Sequence, residues 1–478
     1  MIRSFTKNHK LLTACTATAG VGGLFLIKRE NRLKVSDAME RVSRTTYFLG
    51  NAGIIVYDYW YSFRKVDRGT PEYEALEHEI NERTAKRLFR ICDHLGGYFA
   101  KFGQMISSME RSIPPEFVKE LSKCQDNLSP VPFSEFERVI KEDLGMKPED
   151  IFERVEDVPI GCASLAQVHR GTLKTGEDVA IKVQYPTVAR NTQVDLRNME
   201  FVTKLCAKIF KHFQYDWIVP KLRSTVESEF DFSEELNNME QCREFFLPNP
   251  SIYVPKAYRE YSSKRIVVME YIDGVKVNDL NGIRQSGFKP HDVGMLCIQA
   301  FSDMIFRFNS VHMDPHPGNL LVRPIPGTHN PQLVILDHGM YYHFSEGFNE
   351  RFRKMWLAMI QQDHEAMRES CKPWGLEDSA EFLSIMFTGR GGMMNRKMGE
   401  ELTDEEKEQM RKFREEQMKK RDMEKMQERM EKMQEMMKKM PLEMNAVIRN
   451  QMLLSNLIKV LECSQYEKLT VMTEMAVR

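Results

Sequence analysis

The chain has 478 residues, 42% of them hydrophobic and 29% charged, which suits two or three compact domains and excludes a wholly disordered protein. Its 68 Lys and Arg against 69 Asp and Glu leave a formal net charge of −1, so no nucleic-acid partner is expected. Nine cysteines stand singly between Cys15 and Cys463, without any CxxC pair. That pattern excludes a secreted disulfide scaffold and points to a reducing compartment.

Residues 1–29 carry Arg3, Lys7, Lys10, Lys28 and Arg29 and no acidic residue, in a stretch rich in Thr and Ser. This reads as a mitochondrial targeting segment. A short retained membrane span is the alternative, because Leu11 to Ile27 is an uncharged run of seventeen residues flanked by basic ones. Tyr47 to Tyr61 is apolar and crowded with aromatic rings; it reads as a core helix, with a membrane interface as the second reading.

From about Glu74 to Lys123 the spacing predicts a helix that Pro114 and Pro115 end. Leu88, Ile91, Cys92, Leu95, Phe99, Phe102 and Ile106 fall on one face, and Gly97, Lys101, Gln104 and Ser108 on the other. Residues 151–185 read as short strands, and 192–245 as helices again. Arg265–Met269 and Gln332–Leu336 are strand candidates on either side of a helical stretch at 291–311. Gly389 to Gly392 reads as a linker. Beyond it Met423, Met426, Met430, Met433, Met437 and Met440 repeat with heptad-like spacing, a seam suited to a helical protein partner or, equally, a solvated helix.

The chemistry-bearing residues form a series. Val179, Ile181 and Val183 share one face of a strand, while Lys182 shares the other with Ala180 and Gln184. Alone, such a lysine is more often a solvated strand residue. Downstream, Asp314 and Asn319 stand five apart on a proline-rich, non-helical segment. The apolar run Leu333–Leu336 then delivers Asp337, followed by His338 and Gly339. A strand lysine, then D-x4-N, then an apolar strand ending in D-x-G is the order that phosphoryl transfer on the protein-kinase fold requires. Lysine neutralises phosphate, Asn319 and Asp337 offer oxygens for Mg2+, and Asp314 accepts a hydroxyl proton or orients a nucleophile. Met269 and Tyr271, at a strand end, would supply the hinge that faces an adenine. A metal site on His312 with His316, or His338 with His343, competes weakly, since neither pair shares a helix face and no cysteine completes a set. Gly171 to Gly176 has Walker-like spacing but is followed by Glu177 and Asp178, so a turn between strands is the better reading.

With these pieces the chain resembles the UbiB/aarF-domain (ADCK-type) atypical kinase-like family. The K-x-G-Q signature stands as Lys101–Gln104, the E-x-D signature as Glu229–Asp231 with Glu235 beyond, and D-P-H-P-G-N as Asp314–Asn319. The resemblance covers about residues 85–375, and the termini favour its mitochondrial branch over the coenzyme Q-associated one. It implies that Lys182 contacts the α/β-phosphates and pairs with Glu229, that Lys101 of a covering helix points into the cleft near Glu235, and that Asp314, Lys182 and Lys101 form the catalytic set. It also implies that the loop Pro159, Ile160, Gly161, Cys162, Ala163, Ser164, Leu165, Ala166 and Gln167 lies against the nucleotide, in place of a kinase glycine loop. Gly161 and Cys162 depart there from the family's alanines. His338 replaces the usual kinase Phe.

The expected fold is therefore α+β and bilobal, protein-kinase-like, with helical N- and C-terminal extensions. The segments are 1–29 for targeting, 30–150 for the K-x-G-Q extension, 151–272 and 273–388 for the small and large lobes, and 389–478 for a linker and charged helical region. The cofactors are ATP and Mg2+. The leading function is an atypical kinase or ATPase working on a lipid or other small molecule in the mitochondrion, associated with the inner membrane. A Ser/Thr protein kinase is the first alternative; against it, a covering helix would obstruct a peptide and no A-P-E motif follows Asp337. A nucleotide-responsive pseudokinase scaffold is the second.

Overall fold

The computed structural model describes residues 29–64, 66, 70–107, 113–124, 130–162, 165–210, 218–226, 230–388 and 440–478. In chain order the main elements begin with the helices α1 (Arg29–Phe63), α2 (Pro71–Leu95), α3 (Gly97–Ser107), α4 (Pro115–Leu121), α5 (Glu137–Leu144) and α6 (Pro148–Ile151). Strands β1 (Phe152–Val155), β2 (Gly161–Cys162), β3 (Ala166–Leu173) and β4 (Asp178–Gln184) follow, then helices α7 (Pro186–Ile209), α8 (Ile218–Val226) and α9 (Phe232–Phe246). Next come β5 (Ile252–Tyr253), β6 (Ile266–Glu270), β7 (Val275–Lys276), α10 (Leu280–Gln285) and α11 (Pro290–Phe306). After β8 (Ser310–His312), β9 (Leu320–Pro324), β10 (Pro331–Ile335) and β11 (Tyr341–His343) the chain is helical: α12 (Phe348–Gln361), α13 (His364–Cys371), α14 (Ala380–Thr388), α15 (Leu442–Val460) and α16 (Gln465–Val477). The chain divides into two compact units, Met1–Asp231 with Glu260–Val268, and Phe232–Arg259 with Met269–Arg478.

In the first unit the helical pattern expected over 74–123 divides into three helices, with a break at Gly96 ahead of the expected one at the prolines. Gly96 and Gly97 adopt φ of +60° and +52°, a left-handed turn that ends α2 and starts α3. Pro115 opens α4 as its first residue, where a missing N–H costs nothing, so the proline pair begins a helix. The inward faces of α1 to α4, α7 and α8 share a core that includes Phe48, Ile91, Phe99, Leu121, Leu196 and Leu222. The strands form a sheet in the order β1-β3-β4-β6, with β2 added to β3. On β4 the apolar set Val179, Ile181 and Val183 is fully buried and Lys182 is half-buried, as the alternation predicts.

The second unit holds a sheet in the order β5-β10-β9-β7 and a two-stranded ladder of β8 and β11. Helix α11 is apolar on nearly every side and buried, as a core helix must be. The C-terminal helices belong to this core: Met444, Val447, Met472 and Met475 cluster with Phe352 and Trp356. A reciprocal capping box fixes the start of α16, where Ser464 Oγ accepts from the Glu467 N–H and Glu467 Oε2 accepts from the Ser464 N–H. The methionine seam lies outside the described residues except for Met440, which is buried in this core. The targeting segment lies outside them as well.

Candidate functional site

In the second unit one buried imidazole organises the acidic loops. The Asp314 N–H donates to His312 Nδ1 at 3.0 Å, so the ring proton sits on Nε2, which donates to the Asp337 carbonyl at 2.8 Å. Burial pushes the His312 pKa down, in keeping with a neutral ring used at both nitrogens. His312 thereby ties the backbones of the two aspartates expected to act together. Asn319 uses its side-chain nitrogen toward the Asp314 carbonyl at 3.4 Å, leaving its amide oxygen to offer a ligand. Its own carbonyl accepts from the Leu336 N–H, one residue before Asp337.

Asp337 closes a short turn, its Oδ1 accepting from the Gly339 N–H at 2.9 Å. A Cβ at Gly339 would lie 3.3 Å from Asp337 Oδ1 and 3.7 Å from Glu235 Oε2, so two carboxylates border the space that this glycine leaves open. Glu235, in the first turn of α9, is buried. Oxygens of Asp337, Asn319 and Glu235 are hard donors of the kind Mg2+ takes. Among the described residues no group of three His, Cys, Asp or Glu is gathered for a metal. His338 is fully buried instead: Nε2 donates to the Ile335 carbonyl, and Nδ1 accepts from the Tyr341 hydroxyl at 2.9 Å.

Position in the chain gave no hint of the last member. Asn450, 138 residues beyond His312 on α15, donates to the His312 carbonyl at 2.7 Å, and both residues are fully buried. Met313 and Met340 bond across the β8–β11 ladder, so His312 stands opposite Tyr341 in a position whose carbonyl points out of the ladder. Asn450 is the partner which that carbonyl finds.

In the first unit the sheet register aligns two of the expected groups. Gly161 pairs with Val168, and Val168 pairs with Lys182, so all three share one face of the sheet across adjacent strands. Cys162 pairs with Gln167, and Gln167 with Val183, on the opposite face. The run from Pro159 to Gln167 therefore does not present every residue to one side. Gln167 is buried: it donates to the Val131 carbonyl at 2.6 Å and accepts from the Val131 N–H at 3.0 Å. Leu165 and Ala166 are buried as well, Leu165 in the helical core. All three are buried, with Ala166 on the sheet face of Val168 and Lys182, while Pro159, Ile160 and Gly161 remain toward solvent or half-exposed. Ala163, Ser164 and Glu229 lie outside the described residues.

The K-x-G-Q residues are positioned by packing. A Cβ on Gly103 would stand 2.5 Å from Cys124 Sγ and 3.3 Å from Cys92 Sγ, so only glycine lets α3 approach so closely. Gln104 Nε2 donates to the Cys124 carbonyl at 3.0 Å, an anchor rather than a solvated helix face. Lys101, one turn before them, is half-buried. The hinge candidates flank Glu270, which belongs to the second unit. The Glu270 carboxylate accepts from the Tyr253 hydroxyl at 2.6 Å, its N–H donates to the Lys256 carbonyl, and Met269 is buried in a bridge to Ala257.

A model of the ABC1 atypical kinase-like domain matches residues 123–371, just over half the chain. AarF domain-containing kinase 1 of Drosophila melanogaster is 37% identical over 329 residues, covering 69% of this chain and 63% of the relative. The match thus spans less than two thirds of the fly protein's length. AarF domain-containing protein kinase 1 of Gallus gallus is 31% identical over 382 residues, covering 80% of this chain and 73% of the relative. Among solved structures, a Mycobacterium tuberculosis protein in complex with erythromycin is similar at 24% identity, over 71% of this chain and 80% of that one, with a TM-score of 0.43. The chain, α+β with helical segments before and after its sheets, belongs to the ABC1/AarF family of atypical kinase-like proteins.

Proposed function

We propose that this protein binds MgATP and uses it as an atypical kinase or ATPase, with a lipid or other small molecule as substrate in the mitochondrion. The observation that carries the reading is the His312 ring, which holds the backbones of Asp314 and Asp337 together and would keep a proton acceptor in register with a metal-binding carboxylate. Asp337 and Asn319 would hold Mg2+, with Glu235 bordering the same space. Lys182 would neutralise the α/β-phosphates, with Gly161 on the same sheet face letting the backbone come close to them, and Lys101 would add a second positive charge. Asp314 would accept the proton of the attacking hydroxyl or water as its oxygen bonds to the γ-phosphorus and ADP leaves. The acid-free, basic residues 1–29 support mitochondrial targeting.

Two substitutions test this. Asp337→Asn removes a metal ligand and should strongly reduce the thermal shift produced by MgATP; an unchanged shift refutes the metal assignment. Asp314→Asn is nearly isosteric and should keep nucleotide binding, while ATP turnover in the presence of membrane lipids falls by on the order of a hundredfold or more. Turnover left intact by Asp314→Asn removes that aspartate from the chemistry.

A further inference from the structure

The first unit carries a solvent-facing helix surface that lacks the charge such surfaces normally have. Between Val42 and Tyr61 of α1, no exposed residue is charged. The two ionisable groups best placed to interrupt this stretch are turned aside into ion pairs, Arg44 with Asp195 and Asp58 with Arg83. The exposed set near the end of the helix is large and aromatic: Ile54, Tyr57, Trp60 and Tyr61 are 50%, 59%, 54% and 45% exposed. Neighbouring α7 repeats the pattern, with Phe201, Leu205 and Ile209 exposed at four-residue spacing.

The helices that carry the two stripes are neighbours. Contacts pair Arg44 with Asp195, Asn198 with Thr45, and Tyr59 with Phe210, so α1 and α7 run parallel side by side. At about 100° per residue, both stripes then turn away from the core that takes in Phe48, Leu196 and Met199. Cations rim the surface. Lys204 and Lys208 are exposed on α7, and the Arg64 guanidinium lies 3.8 Å over the Tyr61 ring. From Phe201 to Ile209 there is no acid, and Glu200 is paired with Arg223.

We propose that this α1–α7 face docks on the surface of a bilayer containing anionic lipids. Clustered exposed apolar side chains are a mark of interaction surfaces. Tyr and Trp rings favour the headgroup level, and lysines beside an apolar stripe keep their charge at the phosphates while their stems lie on the hydrocarbon boundary. A second copy of the chain would bring Lys204, Lys208 and Arg64 against the same cations, whereas lipid phosphate complements them. No described helix is long and apolar enough to cross a membrane, so the contact is one of lying on the surface. The inference adds a membrane contact to the proposed function, and its assay contains no nucleotide, so either can fail while the other stands.

The test uses the full chain in vesicle flotation, with phosphatidylcholine alone or with about a quarter phosphatidylglycerol. The expected result is binding to the mixed vesicles that salt weakens. Each lysine near a charged surface adds about fivefold, so Lys204→Gln with Lys208→Gln should weaken binding about 25-fold. Tyr57→Ser with Trp60→Ser should weaken it by more than about tenfold. Trp60→Phe should bind nearly as wild type yet lose quenching by brominated lipid, a readout that does not depend on how the double variants fold. Binding unaffected by both double variants overturns the proposal, and so does wild-type quenching that Trp60→Phe retains. Self-association that disappears in Tyr57→Ser/Trp60→Ser, without vesicle binding by the wild type, assigns the face to a second copy and also overturns it.

Discussion

Lys468 on α16 is a lysine placed where a charge is expensive. It is 4% exposed, forms no ion pair among the described residues, and bonds only to Ser455 Oγ, at 2.7 Å. Burial pulls its pKa from 10.5 down to about 8. That gap corresponds to about 3 kcal/mol of penalty on the folded, protonated form. At pH 7 both folded and unfolded chains carry the proton, and the folded state bears the full penalty. As pH rises through about 8 the folded lysine releases its proton while the unfolded chain keeps it until about 10.5; the unfolded state then binds more protons, and stability increases with pH across that window. Lys468→Met matches the shape of the stem. It removes the penalty and loses one hydrogen bond of about 1 kcal/mol, so at pH 7 the variant should be more stable by about 2 kcal/mol. Near pH 10.5 the advantage should vanish or reverse. Urea unfolding between pH 7 and 10.5 can be followed by tryptophan fluorescence, since the buried Trp356 contacts α16 through Thr473. A variant less stable than wild type at pH 7, or one that keeps the wild-type rise in stability at high pH, refutes the reasoning.

Two further substitutions probe the residues that position the candidate site. Gly103→Ala places a Cβ 2.5 Å from Cys124 Sγ; overpacking of about 1–3 kcal/mol should exceed the ~1 kcal/mol that alanine gains in a helix, lowering the thermal midpoint, and an unchanged or higher midpoint would refute the close-packing role. His312→Phe leaves the Asp314 N–H and the Asp337 carbonyl without their buried partner at about 1–3 kcal/mol each. Urea unfolding should show the loss, and hydrogen exchange at the Asp314 amide should accelerate; protection equal to wild type would mean that the ring does not hold that loop.

Local pattern was enough to read the elements whose residues carry their own instruction. Strand β4 alternates so regularly that the half-buried place of Lys182 followed from its neighbours. Asp314, Asn319 and Asp337 stood out as candidates because their types and order match what phosphoryl transfer asks for, on a loop whose prolines disfavour an α-helix. The break at Gly96 was hidden, because apolar spacing continues across it and only the positive φ of two successive glycines separates α2 from α3. The face that Gln167 takes was hidden, because register across β2, β3 and β4 decides which side chains share a face, and that belongs to strand pairing. The partnership of Asn450 with His312 depends on α15 packing beside β8, across 138 residues, and nothing local to either residue encodes it. Nor could composition show that α1 leaves its aromatic side bare, since a core helix and a surface-docking helix need the same residues. Only what packs against each face distinguishes them.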